Sequence, residues 1–218
     1  MTYTETVTSN GETATGVISD FDALTTLRRG IRLGATVAAA KDGTITIVRT
    51  YLHLNGETIS ERKIVVTLRP DAKQQRLTQV QHDDLTRIRT AGARAKLLDT
   101  GRVTGMFCQI PPSAAKRLFD RGFAIVTNPE GRVEVTIAGL LAMAAFEHQT
   151  RTVGGSETVS GGGHVHFVTG EWVEATGYFV SAYCSCHDLK WCDTDRDAAQ
   201  GAAKRHLAEK LSAALVAA

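Results

Sequence analysis

Cys184, Cys186 and Cys192 fall within nine residues, in Ala182-Tyr-Cys-Ser-Cys-His-Asp-Leu-Lys-Trp-Cys192, and His206 follows in an alanine-rich segment. Clustered thiols with a downstream imidazole suit a tetrahedral metal, because Zn²⁺ accepts thiolate and imidazole ligands with no geometric preference from its d-electrons. Cys184, Cys186, Cys192 and His206 are therefore the candidate ligands of a structural zinc. His187 competes with His206 for the fourth position. The first pair is spaced Cys-x-Cys, so the common Cys-x-x-Cys knuckle is absent. The alternative is a group of reduced, half-buried cysteines that behave as small hydrophobes. Cys108 lies far from the cluster.

A second metal-type pair is His164-x-His166. On a strand its two rings share a side. Only Glu171 and Glu174 offer nearby carboxylates, so a surface strand is the stronger reading and a metal-dependent hydrolase the weaker one. The chain has no Gly-x-Ser-x-Gly, Walker loop, dinucleotide fingerprint or HExxH. No catalytic residue is assigned, and the chain is read as a non-enzyme.

The elements that must position these groups follow from periodicity. The first 17 residues are rich in Thr, Ser and Gly and read as a tail or loose edge strand. Asp20 to Arg29 predicts a short helix capped by Asp20, with Phe21, Leu24 and Leu27 on one face. Ala35–Ala40, Thr44–His53 and Lys63–Leu68 are β-like runs. They are separated by the turn signals Asp42-Gly43 and Asn55-Gly56. Leu77–Thr90 is helical, with Val80, Leu85 and Ile88 as its apolar positions. Ala91–Phe107 is ambiguous between a short helix at Ala93–Leu98 and a strand at Val103–Cys108. Pro111-Pro112-Ser113 opens a helix to Arg121, which Gly122 stops. Strands at Phe123–Thr127 and Arg132–Ile137 flank the turn Asn128-Pro-Glu-Gly131, and Ala138–His148 is a further helix. Thr150–Gly163, with two glycine clusters, reads as a linker. Beyond it come strands at His164–Val168 and Gly177–Tyr183, then a helix from Arg196 to about Leu215 carrying His206.

The series Ala114-Ala-Lys-Arg-Leu-Phe-Asp-Arg-Gly122, Ile125-Val126, Glu130-Gly-Arg132, Thr136-Ile-Ala-Gly139 and Leu140-Leu141 is ordered helix, glycine, strand, polar turn, strand, Thr-x-x-Gly, helix. It resembles the recognition helix and wing of winged helix-turn-helix proteins, the MarR-type regulators most of all. The resemblance spans about 35 residues closely and residues 77–148 loosely. It implies that Ser113, Lys116 and Arg117 face the DNA major groove, that Arg121 reaches a phosphate, and that Arg132 on the wing reaches the minor groove or backbone. One departure is that no second helix is evident in Ala91–Ile110. A solvated amphipathic helix is the plainer alternative. The end of the chain is similar to short appended Cys-x-Cys…His zinc modules, which implies a ββα fold stapled by its metal.

The expected fold class is α+β. It comprises a small helix plus antiparallel meander over residues 1–75, a winged helix over 76–149, a glycine-rich linker over 150–163 and a zinc-binding ββα module over 164–218. The 218 residues are 43% hydrophobic and 22% charged, enough for a packed core. No run approaches the ~18 apolar residues of a membrane helix, and the first residues lack a secretory pattern. A cytoplasmic location with reduced thiols is expected. The net charge of +2 is uneven, at +1 over residues 1–75, +4 over 76–151 and −3 over 152–218. The basic middle points to nucleic acid. The expected function is DNA binding, as a transcriptional regulator or a phage or plasmid accessory factor, with a homodimer compatible. The alternative is a protein-interaction factor that binds its partner through the acidic C-terminal module.

Overall fold

The computed structural model describes residues 1–55, 58–73, 75–157, 163–165, 172–174, 177–193 and 196–217. The fold is α+β, with antiparallel sheets and five α-helices among the described residues. It divides into two compact units, one of Met1–Phe146 with Leu211–Ala218 and one of Glu147–Lys210.

The first unit opens with β1 (Thr2–Ser9) and β2 (Glu12–Ser19), a hairpin where a tail was expected. Its two-residue turn is Asn10-Gly11, with φ of 53° and 85°. Asn-Gly suits that mirror-image turn because both positions need positive φ. α1 (Asp20–Arg32) follows, and its cap is Ser19 rather than Asp20. The Ser19 hydroxyl accepts from the Asp22 amide at 3.2 Å, and Asp20 is buried inside the helix. Ala23, Leu24 and Leu27 are buried, whereas Phe21 is turned outward. Next come β3 (Thr36–Ala39), β4 (Ile45–Asn55) and β5 (Thr58–Pro70), in a sheet of order β2-β1-β5-β4-β3.

α2 (Gln79–Ala91) is closed at its start by a reciprocal capping box between Thr78 and Gln81. Leu85 and Ile88 are buried, and Val80 is exposed. After a 3-10 turn at Gly92–Arg94, the ambiguous interval resolves into β6 (Lys96–Leu97), β7 (Val103–Gly105) and β8 (Cys108–Ile110), which form one small sheet. α3 (Pro112–Asp120) buries Ala114, Ala115 and Leu118. Proline suits its first turn, where an amide would lack a partner anyway. β9 (Ala124–Val126) and β10 (Val133–Val135) pair, and a bridge between Lys96 and Arg132 ties β6 to the start of β10.

α4 (Ile137–Glu147) is buried on every side from Ile137 to Ala144, so it is the apolar centre of the unit rather than an amphipathic surface helix. Thr136 sets its entry. The Thr136 hydroxyl donates to the Gly122 carbonyl at 2.6 Å and accepts from the Gly139 amide at 3.0 Å. Gly139 is required by space, because a Cβ there would lie 2.3 Å from the Phe123 carbonyl oxygen. The compact unit runs without a break through residue 75, where a domain boundary was expected.

The second unit contains β11 (Thr150–Glu157), β12 (Gly163–Val165), β13 (Trp172–Glu174), β14 (Gly177–Cys184) and β15 (Lys190–Asp193). It also holds α5 (Arg196–Val216) as far as Lys210. β11, β14 and β15 form a sheet of order β11-β14-β15, and β12 pairs with β13. Thr150–Glu157 is therefore a strand where a linker was expected. Its Thr and Val residues favour the extended chain, and its main chain pairs with β14 from Thr150 opposite Cys184 to Glu157 opposite Gly177. The remaining glycine cluster, up to residue 162, lies outside the described residues. Among the described residues, Val180, Ala182, Ala199 and Ala203 form a buried cluster in this unit, with Leu189 against it.

Candidate functional site

Cys184 ends β14 and Cys186 sits in the turn that follows. The turn closes through the His187 amide, which donates to the Cys184 carbonyl at 2.9 Å. His187 has φ of 65°, a left-handed conformation uncommon outside glycine and asparagine. Both thiols thereby project at the sheet end beside α5, where His206 is 8% exposed.

The fourth member is His148, between α4 and β11. Ser185 holds that segment in place. Its hydroxyl donates to the Glu147 carbonyl at 2.7 Å and accepts from the Gln149 amide at 2.8 Å, while its own amide donates to the Gln149 carbonyl at 3.0 Å. The ligating atoms of His148, Cys184, Cys186 and His206 all lie within 4.8 Å of one another. Sγ of Cys186 is 3.3 Å from Nε2 of His206, and the two imidazoles meet edge to face at 6.3 Å. Tetrahedral bonds of about 2.3 Å to sulfur and about 2.1 Å to nitrogen put ligand atoms roughly 3.3–3.8 Å apart. The cluster comes within about 1 Å of the size of a four-coordinate metal site and can hold an ion.

Burial holds the His148 imidazole below its usual range, with the Lys210 ammonium adding to the effect, so the ring is neutral and can ligate. Nδ1 of His148 is buried without a hydrogen-bond partner. Such an orphaned donor or acceptor is costly unless something satisfies it. Burial also raises the Cys184 thiol, so its proton leaves only to a strong competitor such as a metal. Lys210, one turn beyond His206, pairs with Asp188 of the Cys-x-Cys turn at 2.5 Å and brings a positive charge near both sulfurs.

The structure thus brings together Cys184, Cys186 and His206 and adds His148, which the sequence reading missed. His187 is exposed and outside the group. Cys192 is paired in register with Ser181, and its side chain lies outside the described residues, as do that of His164 and all of His166. Cys108 is fully buried in β8, and burial raises its thiol further out of the reactive range. His148 carried no usable spacing signal, since it lies 36 residues before Cys184.

The residues expected to face DNA fall into two groups. Ser113, Lys116 and Arg117 are exposed on α3. Lys116 pairs with Asp120 at 2.7 Å, an exposed contact of little strength. Arg121 and Arg132 are half-buried and engaged with other side chains. Arg121 donates to the Gln81 side-chain carbonyl at 2.8 Å and lies over the Phe123 ring. Arg132 is 3.0 Å from Glu134, which also takes Arg28 at 2.5 Å. Arg28, Arg89, Arg132 and Glu134 line a cavity of about 280 Å³. Among the described residues no helix is long and apolar enough to cross a membrane. No protein-family model, no curated protein and no solved structure matches the chain.

Proposed function

We propose that this chain is a non-enzymatic DNA-binding protein that reads duplex DNA with α3 and carries a structural zinc in its second unit. The observation that supports the DNA reading best is the solvent-facing row Ser113, Lys116 and Arg117 on α3. That helix is braced on its other face by buried Ala114, Ala115 and Leu118. The series α2, β6, α3, β9, β10, with β6 bridged to the start of β10, is consistent with a winged helix in which a hairpin replaces the second helix. Exposed cations on a braced helix gain from counterion release when phosphate approaches. Lys116 gives up only a weak partner to do so. Arg121 and Arg132 would have to leave Gln81 and Glu134, so their role is to stiffen the helix and wing.

Zinc is favoured over other ions because two thiolates and two imidazoles match its charge and softness and leave no open position for substrate. The test of the DNA reading is affinity for a duplex of about 20 base pairs at several salt concentrations. Wild type should weaken steeply as salt rises. Lys116→Ala/Arg117→Ala should lower affinity for all sequences and flatten the slope by about 2, one per phosphate contact removed. Equal affinity and slope in both proteins would end this reading of α3.

A further inference from the structure

The loop between β7 and β8 carries two large apolar side chains into solvent. Met106 is 51% exposed and Phe107 is 82% exposed, the latter the highest value for a large hydrophobic among the described residues. Gly105 pairs with Cys108, so these two residues are the whole loop. Phe107 has φ of 59°. Glycine or asparagine takes that conformation at this turn position readily, and an aromatic residue takes it with strain. Folding alone would favour a polar residue at 106 and Gly or Asn at 107. A loop that keeps both penalties displays its ring to something outside the chain.

The tip is also held firmly. Nη1 of Arg94 lies 2.7 Å from Sδ of Met106. Gly105 packs so closely that an added Cβ would sit 2.9 Å from the Arg94 carbonyl oxygen and 3.1 Å from the Ala91 side chain. The surroundings are cationic. Between Leu85 and Phe119 the chain has seven Lys and Arg and a single carboxylate, Asp99. Arg94 at the tip, Lys96 on the strand beside it and Arg102 at the other end of β7 are all exposed. A bare aromatic ring amid positive charge matches a ligand that offers flat apolar faces behind a negative backbone, which describes nucleic acid. β8 leads through Pro111 directly into α3, so the tip and the basic helix belong to one continuous stretch.

We propose that the β7–β8 tip is a wedge, in which Phe107 inserts between adjacent bases while the cations of α3 hold the phosphates. This rests on the DNA-binding reading above. Side chains of this kind unstack one base step and kink the duplex.

The test compares wild type with Phe107→Gly on a duplex of about 20 base pairs labelled with a donor and an acceptor at its two ends. Glycine suits the positive φ, so the variant should melt at or above the wild-type temperature. Wild type should shorten the end-to-end distance on binding. Phe107→Gly should bind on the order of tenfold more weakly, keep the wild-type salt slope and leave the duplex straight. A variant that binds and bends DNA like wild type overturns the wedge and leaves the DNA reading standing. A wild-type protein without salt-dependent binding sinks the DNA reading, and the wedge with it. Binding to anionic lipid vesicles that Phe107→Gly abolishes, with no effect on the duplex, assigns the tip to a membrane surface and also overturns the wedge.

Discussion

Ser185 carries no metal-binding atom, yet it holds His148 beside the two cysteines through three hydrogen bonds to the 147–149 segment. Groups that orient metal ligands typically matter 10–100-fold in affinity. Ser185→Ala should therefore weaken metal binding by about that factor in competition with a chromogenic chelator, and His148→Ala should weaken it more. His187→Ala should change nothing, because that ring is exposed and outside the group. If His187→Ala loses the metal and His148→Ala keeps it, the fourth ligand is misassigned. A second residue-scale prediction concerns Asp84, which is 3% exposed and paired with Arg87 at 3.0 Å. Burial raises its carboxyl above the ordinary value of 3.8 and outweighs the lowering effect of Arg87. An acid whose folded pKa is raised stabilises the fold fully below its unfolded value. That contribution is lost as pH rises through the folded one. As pH rises above about 4, melting temperature should fall more in wild type than in Asp84→Asn. Parallel profiles for the two proteins would show that Asp84 is ionised at no cost.

At the scale of elements, the entry to α4 shows how a short motif fixes a helix. Thr136 caps the helix and ties it to Gly122, while Gly139 leaves room for the Phe123 carbonyl. Thr136→Ala should cost about 1–2 kcal/mol, as the loss of a helix cap does. Gly139→Ala should cost more, since the neighbour it meets is backbone and must move. Urea unfolding would measure both, and a Gly139→Ala protein as stable as wild type would refute the steric account. This Thr-x-x-Gly step was legible in the sequence, as were the helices at 77–90 and 113–121 and the hairpin at Asp42-Gly43. The Asn10-Gly11 turn carries an equally strong turn signal, but the flanking Thr-rich strands do not alternate between apolar and polar. Those threonines face each other across the hairpin, Thr6 with Thr15 and Thr8 with Thr13, so the pattern that marks a buried strand never arises. β11 was hidden for a different reason. Its glycines signal a linker by composition, and only pairing with β14, distant in sequence, makes it a strand. The β7–β8 hairpin lies in an interval too short and too mixed for periodicity to decide.

Across the whole molecule, the two units differ in what can hold them together. The first has large buried side chains throughout, including Tyr3, Leu24, Phe123, Ile137 and Leu141. The second spans 64 residues, and its described core is one valine and three alanines with Leu189 against them. Units of this size are marginal on apolar burial alone and often rely on a staple. The candidate staple, a group that can hold a metal ion, is legible in part: Cys184, Cys186 and His206 announce it by type and proximity. His148 joins it only through the fold, because the start of β11 pairs with Cys184. A metal that binds the folded unit and not the unfolded one adds its binding free energy to stability. Removing it with a strong chelator should therefore unfold the second unit and leave the first intact. Trypsin reports this directly. With metal bound, the chain should resist cleavage after Arg151, because that residue is paired with Tyr183 in the sheet. In chelator, cleavage at Arg151, Lys190, Lys204 and Arg205 should appear together, and added zinc should restore protection. Cleavage at Arg151 in the metal-loaded protein would mean that 150–157 is a linker in solution. Equal resistance with and without chelator would mean that the thiols and imidazoles are only core side chains.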